Sequence, residues 1–282
     1  MLTPGGGVGS GVIFRSDGTI LTNEHVVRGN ATVEIAFADG RREPGRVIAT
    51  DADIDLALVR VDRKGLSAAS FQTALPPVGA LAIVLGSPLG FEKTVTAGIV
   101  SGLHRSIPGS ASQSAALIDL MQTDAPISPG NSGGAVGGGR PGQGDRDSEA
   151  YIPPDQGAVA IGFAIPAATA VTVANQLLKT GQVEHAFVGI QPAQLTPELA
   201  RELGLKETSG VLVYAVTRGG PADRARIVPG DILVAITGKR LSSVEDLFTV
   251  LRGHRPGQTV PIELIHDGQR ETVEVHLTSK PQ

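Results

Sequence analysis

The chain has 282 residues, of which 41% are apolar and 18% are charged, and its formal net charge at pH 7 is −4. This length and balance are typical of a globular protein of two domains rather than a disordered or membrane-spanning one. Because the chain contains no cysteine, disulfides, thiol nucleophiles and thiolate metal sites are excluded. The acidic charge, the absence of tryptophan and the presence of only two tyrosines argue against nucleic acid as a partner.

Residues 8–105 contain short apolar runs that are rich in β-branched residues and separated by Asp-Gly turns. Runs of this kind favour an antiparallel barrel or sandwich over alternating helices and parallel strands. The predicted elements are Val12–Phe14, Thr19–Leu21, Thr32–Ile35, Val47–Ile48 and Leu56–Val59, with turns at Asp17-Gly18 and Asp39-Gly40.

The stretch from Gly137 to Gly157 is full of glycine, proline and charge, and it predicts a loop. Strand character returns over Ala158–Ile165, and Ala167–Lys179 has the composition of a helix that stops at Gly181. That helix is expected to end a first domain covering residues 1–182.

The remaining residues, 183–282, predict a smaller domain of mixed α and β structure. Helices are expected over Thr196–Leu203 and over Val244–Leu251, the second capped by Ser243. A closing hairpin is expected to join Ile262–Leu264 to Val273–Val275 across a turn at Asp267-Gly268.

The strongest chemical signal is the segment Gly130–Gly134, which reads GNSGG. A serine on a glycine-rich turn can expose its hydroxyl while backbone N–H groups converge on one point, as an oxyanion hole requires. The nucleophile would be Ser132, and the N–H groups of Gly130 and Ser132 would be the donors. The alternative is a flexible glycine turn without a catalytic role.

A nucleophilic serine needs a base and a carboxylate that orients it. Only His25, of six histidines, stands in an apolar frame just after a predicted strand, and Asp55 directly precedes the run Leu56–Val59. In isolation His25 could be a structural histidine and Asp55 a turn carboxylate. Their order along the chain, followed by Ser132, is the order found in chymotrypsin-type proteases.

Several segments together resemble the signature blocks of the HtrA/Deg proteases. These are Gly9–Ile13 (GSGVI), Thr22–Val27 (TNEHVV), Asp55–Leu58 (DLAL), Thr94–Ser101 (TVTAGIVS), Gln122–Gly134 (QTDAPISPGNSGG) and Ile161–Pro166 (IGFAIP). The resemblance implies a mostly β fold, a chymotrypsin-like double β-barrel followed by a PDZ domain. It also implies that His25 acts as general base, that Asp55 orients its imidazole and that Ser132 attacks the scissile carbonyl, with no metal or organic cofactor.

The second domain resembles the PDZ module of the same family through Phe187–Ile190 (FVGI), Gly220–Ala222 (GPA) and Pro229–Leu233 (PGDIL). The resemblance implies that Phe187, Val188, Gly189 and Ile190 bind a peptide. The N–H groups of Val188, Gly189 and Ile190 would receive its terminal carboxylate, while the peptide adds as a strand beside the helix Val244–Leu251.

Three departures from the family pattern bear on activity. Family members carry a strand-bearing segment before Gly9, and its lack would remove a barrel strand and a trimer contact. The family also continues past Ser132 with two apolar strand segments, which the polar stretch 137–157 replaces, so an underfilled second barrel is expected. Finally, Arg226 stands where a glycine is usual, which matters only if Arg226 adopts a positive φ.

The leading hypothesis is a serine endopeptidase acting on unfolded or misfolded proteins and regulated by peptides at the PDZ domain. A catalytically silent relative that only binds peptides, and a truncated or frame-altered reading of a normal gene, are the alternatives. The resemblance suggests a homotrimer outside the cytoplasm, periplasmic or membrane-anchored. The sequence itself shows neither a signal peptide nor an apolar run long enough for an anchor.

Overall fold

The computed structural model describes residues 1–86, 94–107, 117–128, 130–138, 149–152, 161–202 and 207–280. The chain folds into two compact units, Met1–Val183 and Glu184–Gln282. Strands outnumber helices in both units, which confirms the mostly β fold expected from the sequence.

The first unit begins with a five-stranded antiparallel sheet in which the strand order is β1-β2-β5-β4-β3. Alternate residues of its strands, among them Ile20, Val33 and Val59, are buried in one apolar cluster. The predicted turns at Asp17-Gly18 and Asp39-Gly40 join β1 to β2 and β3 to β4. The elements are β1 (Val12–Arg15), β2 (Thr19–Thr22), α1 (Glu24–Val27), β3 (Thr32–Ala36), β4 (Arg42–Asp51) and β5 (Leu56–Arg60).

The edges of this sheet are β1 and β3. The residues before Gly9 add only isolated bridges, in which Leu2 pairs with Glu34 of β3 and with Val8. The N-terminal ammonium group of Met1 donates to the carbonyl oxygen of Gly9 at 2.7 Å.

The second sheet is a closed barrel, and it corrects one expectation. Its elements are β6 (Leu81–Gly86), β7 (Thr94–Ile107), β8 (Leu117–Thr123), β9 (Ala135–Gly137), β10 (Glu149–Ile152) and β11 (Gly162–Ile165). The stretch 137–157 is not loop throughout, because β10 pairs with β9 on one side and with β11 on the other and so closes the ring. Closure leaves neither β9 nor β11 as an unpaired edge.

The helix α2 (Ala167–Thr180) follows β11 as predicted. It ends where Gly181 adopts φ 77° and donates its N–H to the carbonyl oxygen of Leu177 at 2.9 Å. Glycine is the usual residue here because the left-handed conformation costs it nothing. Ala170, Val173, Ala174 and Leu177 of this helix pack into the cluster that contains Leu56 and Leu58 of β5.

The second unit is a five-strand path, β13-β14-β15-β17-β18, with β16 paired to β15 and a separate β12-β19 pair. The predicted helices, the Ser243 cap and the closing hairpin are all present. The elements are β12 (Ala186–Phe187), β13 (Ile190–Gln194), α3 (Pro197–Glu202), β14 (Val211–Val216), α4 (Pro221–Arg224), β15 (Ile232–Ile236), β16 (Lys239–Arg240), α5 (Val244–Arg252), β17 (Thr259–His266), β18 (Gln269–His276) and β19 (Thr278–Ser279).

Arg226 does adopt a positive φ, at 63°. The N–H of Arg226 donates to the carbonyl oxygen of Asp223, and the N–H of Ile227 donates to that of Ala222, both at 3.0 Å. These two bonds form a Schellman motif at the end of α4, whose left-handed position glycine normally occupies. The sequence difference from the family pattern therefore places a side chain where the backbone is strained.

We expect Arg226→Gly to stabilise the second unit by about 0.5–1 kcal/mol, because relief of the left-handed strain exceeds the entropy that glycine adds to the unfolded chain. Arg226→Ala is the matched control, since it removes the guanidinium but keeps Cβ and should give no such gain. Thermal and urea unfolding of both variants measure the difference. Equal stability of the glycine and alanine variants would contradict the strain argument.

Candidate active site

His25 and Asp55 meet at the end of the first sheet. Asp55 precedes β5, its side chain is fully buried, and its Oδ2 lies 2.7 Å from Nδ1 of His25, whose side chain is 26% exposed. The backbone N–H of His25 donates to the other carboxylate oxygen, Oδ1, at 2.9 Å. Both oxygens of the buried carboxylate thus hold one histidine, which fixes the orientation of its ring and leaves Nε2 for other chemistry.

Ser132 lies in the turn between β8 and β9 and is 5% exposed. The N–H of Asn131 donates to the carbonyl oxygen of Ser128 at 3.1 Å, and that of Gly134 to Asn131 at 2.8 Å. The N–H groups of Gly130 and Ser132, by contrast, donate to no residue that the structure describes. The turn therefore leaves unused the two donors that the sequence predicts for an oxyanion hole.

The structure does not join the serine to the histidine directly. Within the described residues, no hydrogen bond connects Oγ of Ser132 with His25. The neighbouring residue does reach that segment, because the N–H of Gly133 donates to Oδ1 of Asn23 at 2.6 Å. The turn and the histidine segment are consequently in contact. The contact joins Asn23, two residues before His25, to Gly133, one residue after Ser132.

Ser10 holds the same turn from beside the first sheet, and the sequence alone indicates no separate role for it. Its N–H donates to the carbonyl oxygen of Ser132 at 2.7 Å, and its hydroxyl donates to that of Gly130 at 2.8 Å. Thr22 in turn donates its hydroxyl to the carbonyl oxygen of Ser10 at 2.8 Å. A residue 120 positions away in the chain thus fixes the turn, and no local pattern indicates such a contact.

Gly86 at the end of β6 also supports the turn. A Cβ at this position would lie 2.9 Å from Cα of Asn131 and 2.4 Å from its Oδ1. That oxygen is buried and has no hydrogen-bond partner among the residues that the structure describes. Asn131 therefore approaches the backbone of Gly86 more closely than any side chain there would permit.

The charge of Glu24, which is next to His25 in α1, is paired with Arg28 at the C-cap of that helix. Arg28 donates to both oxygens of the buried Glu24, with its Nη2 at 2.6 Å from Oε2. The hydrogen bond to Glu24, with a smaller contribution from the charges of Glu24 and Asp55, raises the pKa of Arg28 above its ordinary value. Glu24 is thereby paired and does not compete with Asp55 for His25.

The predicted peptide-binding loop lies at the edge of the second unit's sheet. Phe187 belongs to β12, Ile190 begins β13, and Val188 and Gly189 are buried between them. The carbonyl oxygens of Val188 and Gly189 accept from Ala222 and Thr217, both at 2.8 Å, whereas the N–H groups of these two residues donate to no described residue. Among the described strands, β13 is the end strand of its sheet and contacts α5, so no described strand pairs with its outer edge.

Neither a metal centre nor a membrane span is found among the described residues. No group of three or more His, Cys, Asp or Glu side chains there could hold a metal ion. No helix in the same part of the chain is long and apolar enough to cross a membrane.

Comparison with protein families assigns both units. Residues 9–137 match the trypsin-like peptidase domain family, and residues 186–277 match the PDZ domain family. The chain is therefore a trypsin-like peptidase domain followed by one PDZ domain.

Individual relatives identify the family more closely. The chain is 34% identical to the solved structure of the HtrA-type protease AlgW with a decapeptide, with a TM-score of 0.81, covering 98% of this chain and 83% of that one. The structure of a serine endoprotease from Yersinia pestis is 29% identical with a TM-score of 0.72, covering 97% and 89%. This protein belongs to the HtrA family of serine proteases.

Curated relatives carry matching names. A probable periplasmic serine endoprotease, DegP-like, of Bartonella henselae is 35% identical over 97% of this chain and 54% of its own length. The putative serine protease HhoB of Synechocystis is 38% identical over 86% of this chain and 59% of its own. The chain thus spans between half and three fifths of the length of these relatives.

Proposed function

We propose that this protein is a serine endopeptidase in which His25, Asp55 and Ser132 form the catalytic triad. The observation that carries the proposal is the fully buried carboxylate of Asp55, which contacts Nδ1 of the His25 imidazole through one oxygen and accepts the backbone N–H of His25 with the other. The two candidate oxyanion donors of the nearby turn donate to no described residue. His25 would remove the proton from Oγ of Ser132 through Nε2, and the N–H groups of Gly130 and Ser132 would stabilise the oxyanion.

The missing hydrogen bond between Ser132 and His25 is compatible with this chemistry, because catalytic hydrogen bonds are often long in the absence of substrate and tighten in the complex. It is also the observation that favours the alternative, a catalytically silent protein that only binds peptides. The two functions differ in whether Ser132 reacts.

We expect a fluorophosphonate probe to modify Ser132 of the folded protein and to modify neither Ser132→Ala nor His25→Ala. Asp55→Asn should lower cleavage of a chemically unfolded protein by about 10⁴-fold, since the imidazole loses its orientation and counter-charge. Asp51→Asn is the matched control, because Asp51 is also buried but accepts the N–H groups of Asp53 and Ile54. It should retain activity.

Mass spectrometry identifies the residue that the probe modifies. Cleavage is measured by the fluorescence of the unfolded protein substrate, which carries a fluorescent label. A folded protein that is not modified at Ser132 and does not cleave would reject the peptidase and favour the peptide-binding alternative. Cleavage of the unfolded substrate but not of its folded form is the specificity we expect. This preference is carried over from the family.

We propose further that the second unit binds the C-terminus of a peptide and thereby regulates cleavage. Two buried residues, Val188 and Gly189, offer N–H groups without an acceptor among the described residues, and the outer edge of β13 can receive an extended strand beside α5. The AlgW relative has been solved with a decapeptide and with a tripeptide.

A decapeptide with a free carboxylate and an apolar last residue should therefore bind at least about 10-fold more tightly than its C-terminal amide, because hydrogen bonds to a charged group are lost. Titration calorimetry measures both, and cleavage assays with and without peptide measure regulation. Gly189→Ala should weaken binding, since Gly189 has φ 87° and a Cβ there would lie 3.0 Å from Pro221. Equal affinity for acid and amide would exclude carboxylate recognition.

The family resemblance also leads us to propose a homotrimer outside the cytoplasm. An outward face of the second barrel supports contact between copies, because three apolar pairs lie side by side on β6 and β7: Leu81 with Ile99, Ile83 with Ala97 and Leu85 with Val95. Leu81, Ile99, Leu85 and Val95 are 38–60% exposed, and Ala97 is exposed as well. A continuous exposed apolar face of this kind marks an interaction surface.

Light scattering during size exclusion should therefore give three times the 28.9 kDa chain mass. The double variant Leu85→Glu, Val95→Glu should give the mass of one chain, because charge on this face prevents its burial. Ile48→Glu, at a 38% exposed position on β4, is the control and should leave the mass unchanged. A monomeric wild type, or a double variant that still assembles, would contradict this interface.

A further inference from the structure

Asn23 is a fully buried side chain that links two distant parts of the candidate site. Its Nδ2 donates to the carbonyl oxygen of Asp55 at 2.9 Å, and its Oδ1 accepts from the N–H of Gly133 at 2.6 Å. The two partners are 32 and 110 residues away along the chain. One amide therefore contacts the backbone of the candidate orienting residue and the turn of the candidate nucleophile.

The position of Asn23 in the chain makes this use of its side chain unusual. Asn23 is the N-cap residue of α1, where an asparagine side chain ordinarily accepts from its own helix. Here the side chain makes no cap hydrogen bond. The amide is directed across the site instead, so the reason for an asparagine lies in tertiary structure and not in the four-residue helix.

The bond to Asp55 falls where the backbone needs support. Asp55 has φ 58°, a left-handed conformation that is unfavourable for a residue other than glycine. Asn23 holds the carbonyl group of Asp55, and the N–H of His25 holds its carboxylate. The two hydrogen bonds together fix the conformation in which the carboxylate reaches Nδ1 of His25.

The bond to Gly133 holds the other half of the site. Gly133 has φ 77°, and a Cβ there would lie 2.2 Å from Oγ1 of Thr22, so this turn lies directly against the first sheet. Ser10 donates to two carbonyl oxygens of the turn, whereas Asn23 accepts a hydrogen bond from the N–H of Gly133. Of the described side chains, Asn23 alone is hydrogen-bonded to the backbones of both Asp55 and the turn.

We propose that Asn23 is a positioning residue, which sets Asp55 and Ser132 relative to each other without touching substrate. The inference rests on the proposed peptidase function, because its effect on rate requires that Ser132 react. A displacement of about 1 Å at a catalytic group can cost roughly 100-fold in rate. Loss of Asn23 should therefore lower kcat and should not weaken substrate binding.

We expect Asn23→Leu, which preserves the approximate shape but neither hydrogen bond, to lower kcat by about 10- to 100-fold while KM changes less than about twofold. Thr19→Val is the matched control. Thr19, on the strand β2 that precedes Asn23, is equally buried, but its hydroxyl donates to Asp17 and has no described link to the site. The control should unfold at a lower temperature and keep its kcat.

Amide exchange tests the link separately from catalysis. In the wild type the N–H of Gly133 should be protected, and in Asn23→Leu the segments around Asp55 and Gly133 should both exchange faster. An unprotected Gly133 in the folded wild type, an unchanged kcat in Asn23→Leu, or an equal loss in Thr19→Val would each overturn the inference. If the wild type neither cleaves nor reacts with fluorophosphonate, the proposed function fails, and the exchange rates alone decide the link.

Discussion

The site depends on the burial of one carboxylate. Asp55 has no exposed surface, and an ionised group in that position is tolerated only when its oxygens are hydrogen-bonded. Both oxygens are bound by His25, through the backbone N–H and through Nδ1. The requirement to satisfy Asp55 therefore fixes where α1 begins, how the imidazole is turned, and why a strained φ of 58° is retained immediately before β5.

Much of the architecture could be predicted from local sequence. Short β-branched runs predicted β1, β2, β3 and β5, and the Asp-Gly turns between strands follow directly from glycine's access to positive φ. The motif around Ser132 and the segments containing His25 and Asp55 identified the family, which supplied the two-domain fold. The structure then brings His25 to Asp55, while their roles in catalysis remain the proposal to be tested.

Tertiary context decided what local sequence did not predict. Residues 149–152 form a strand although glycine, proline and charge surround them, because β9 and β11 each offer an unpaired edge and β10 satisfies both. Ser10 and Asn23 belong to recognised segments, yet each has a partner more than a hundred residues away, beyond the reach of any periodicity. At Arg226 the sequence predicted strain only if φ were positive, and the structure gives a φ of 63°.

The order of the strands in the chain has a consequence for biosynthesis. His25 and Asp55 lie in the first sheet, which can form early, but the barrel that carries Ser132 closes only through β10 and β11, which follow Ser132 in the chain. The ribosome therefore releases His25 and Asp55 well before the last strand of the barrel that carries Ser132. In the peptidase that we propose, Ser132 therefore takes its position only after residues beyond it have folded, so a chain whose second barrel is incomplete cannot cleave.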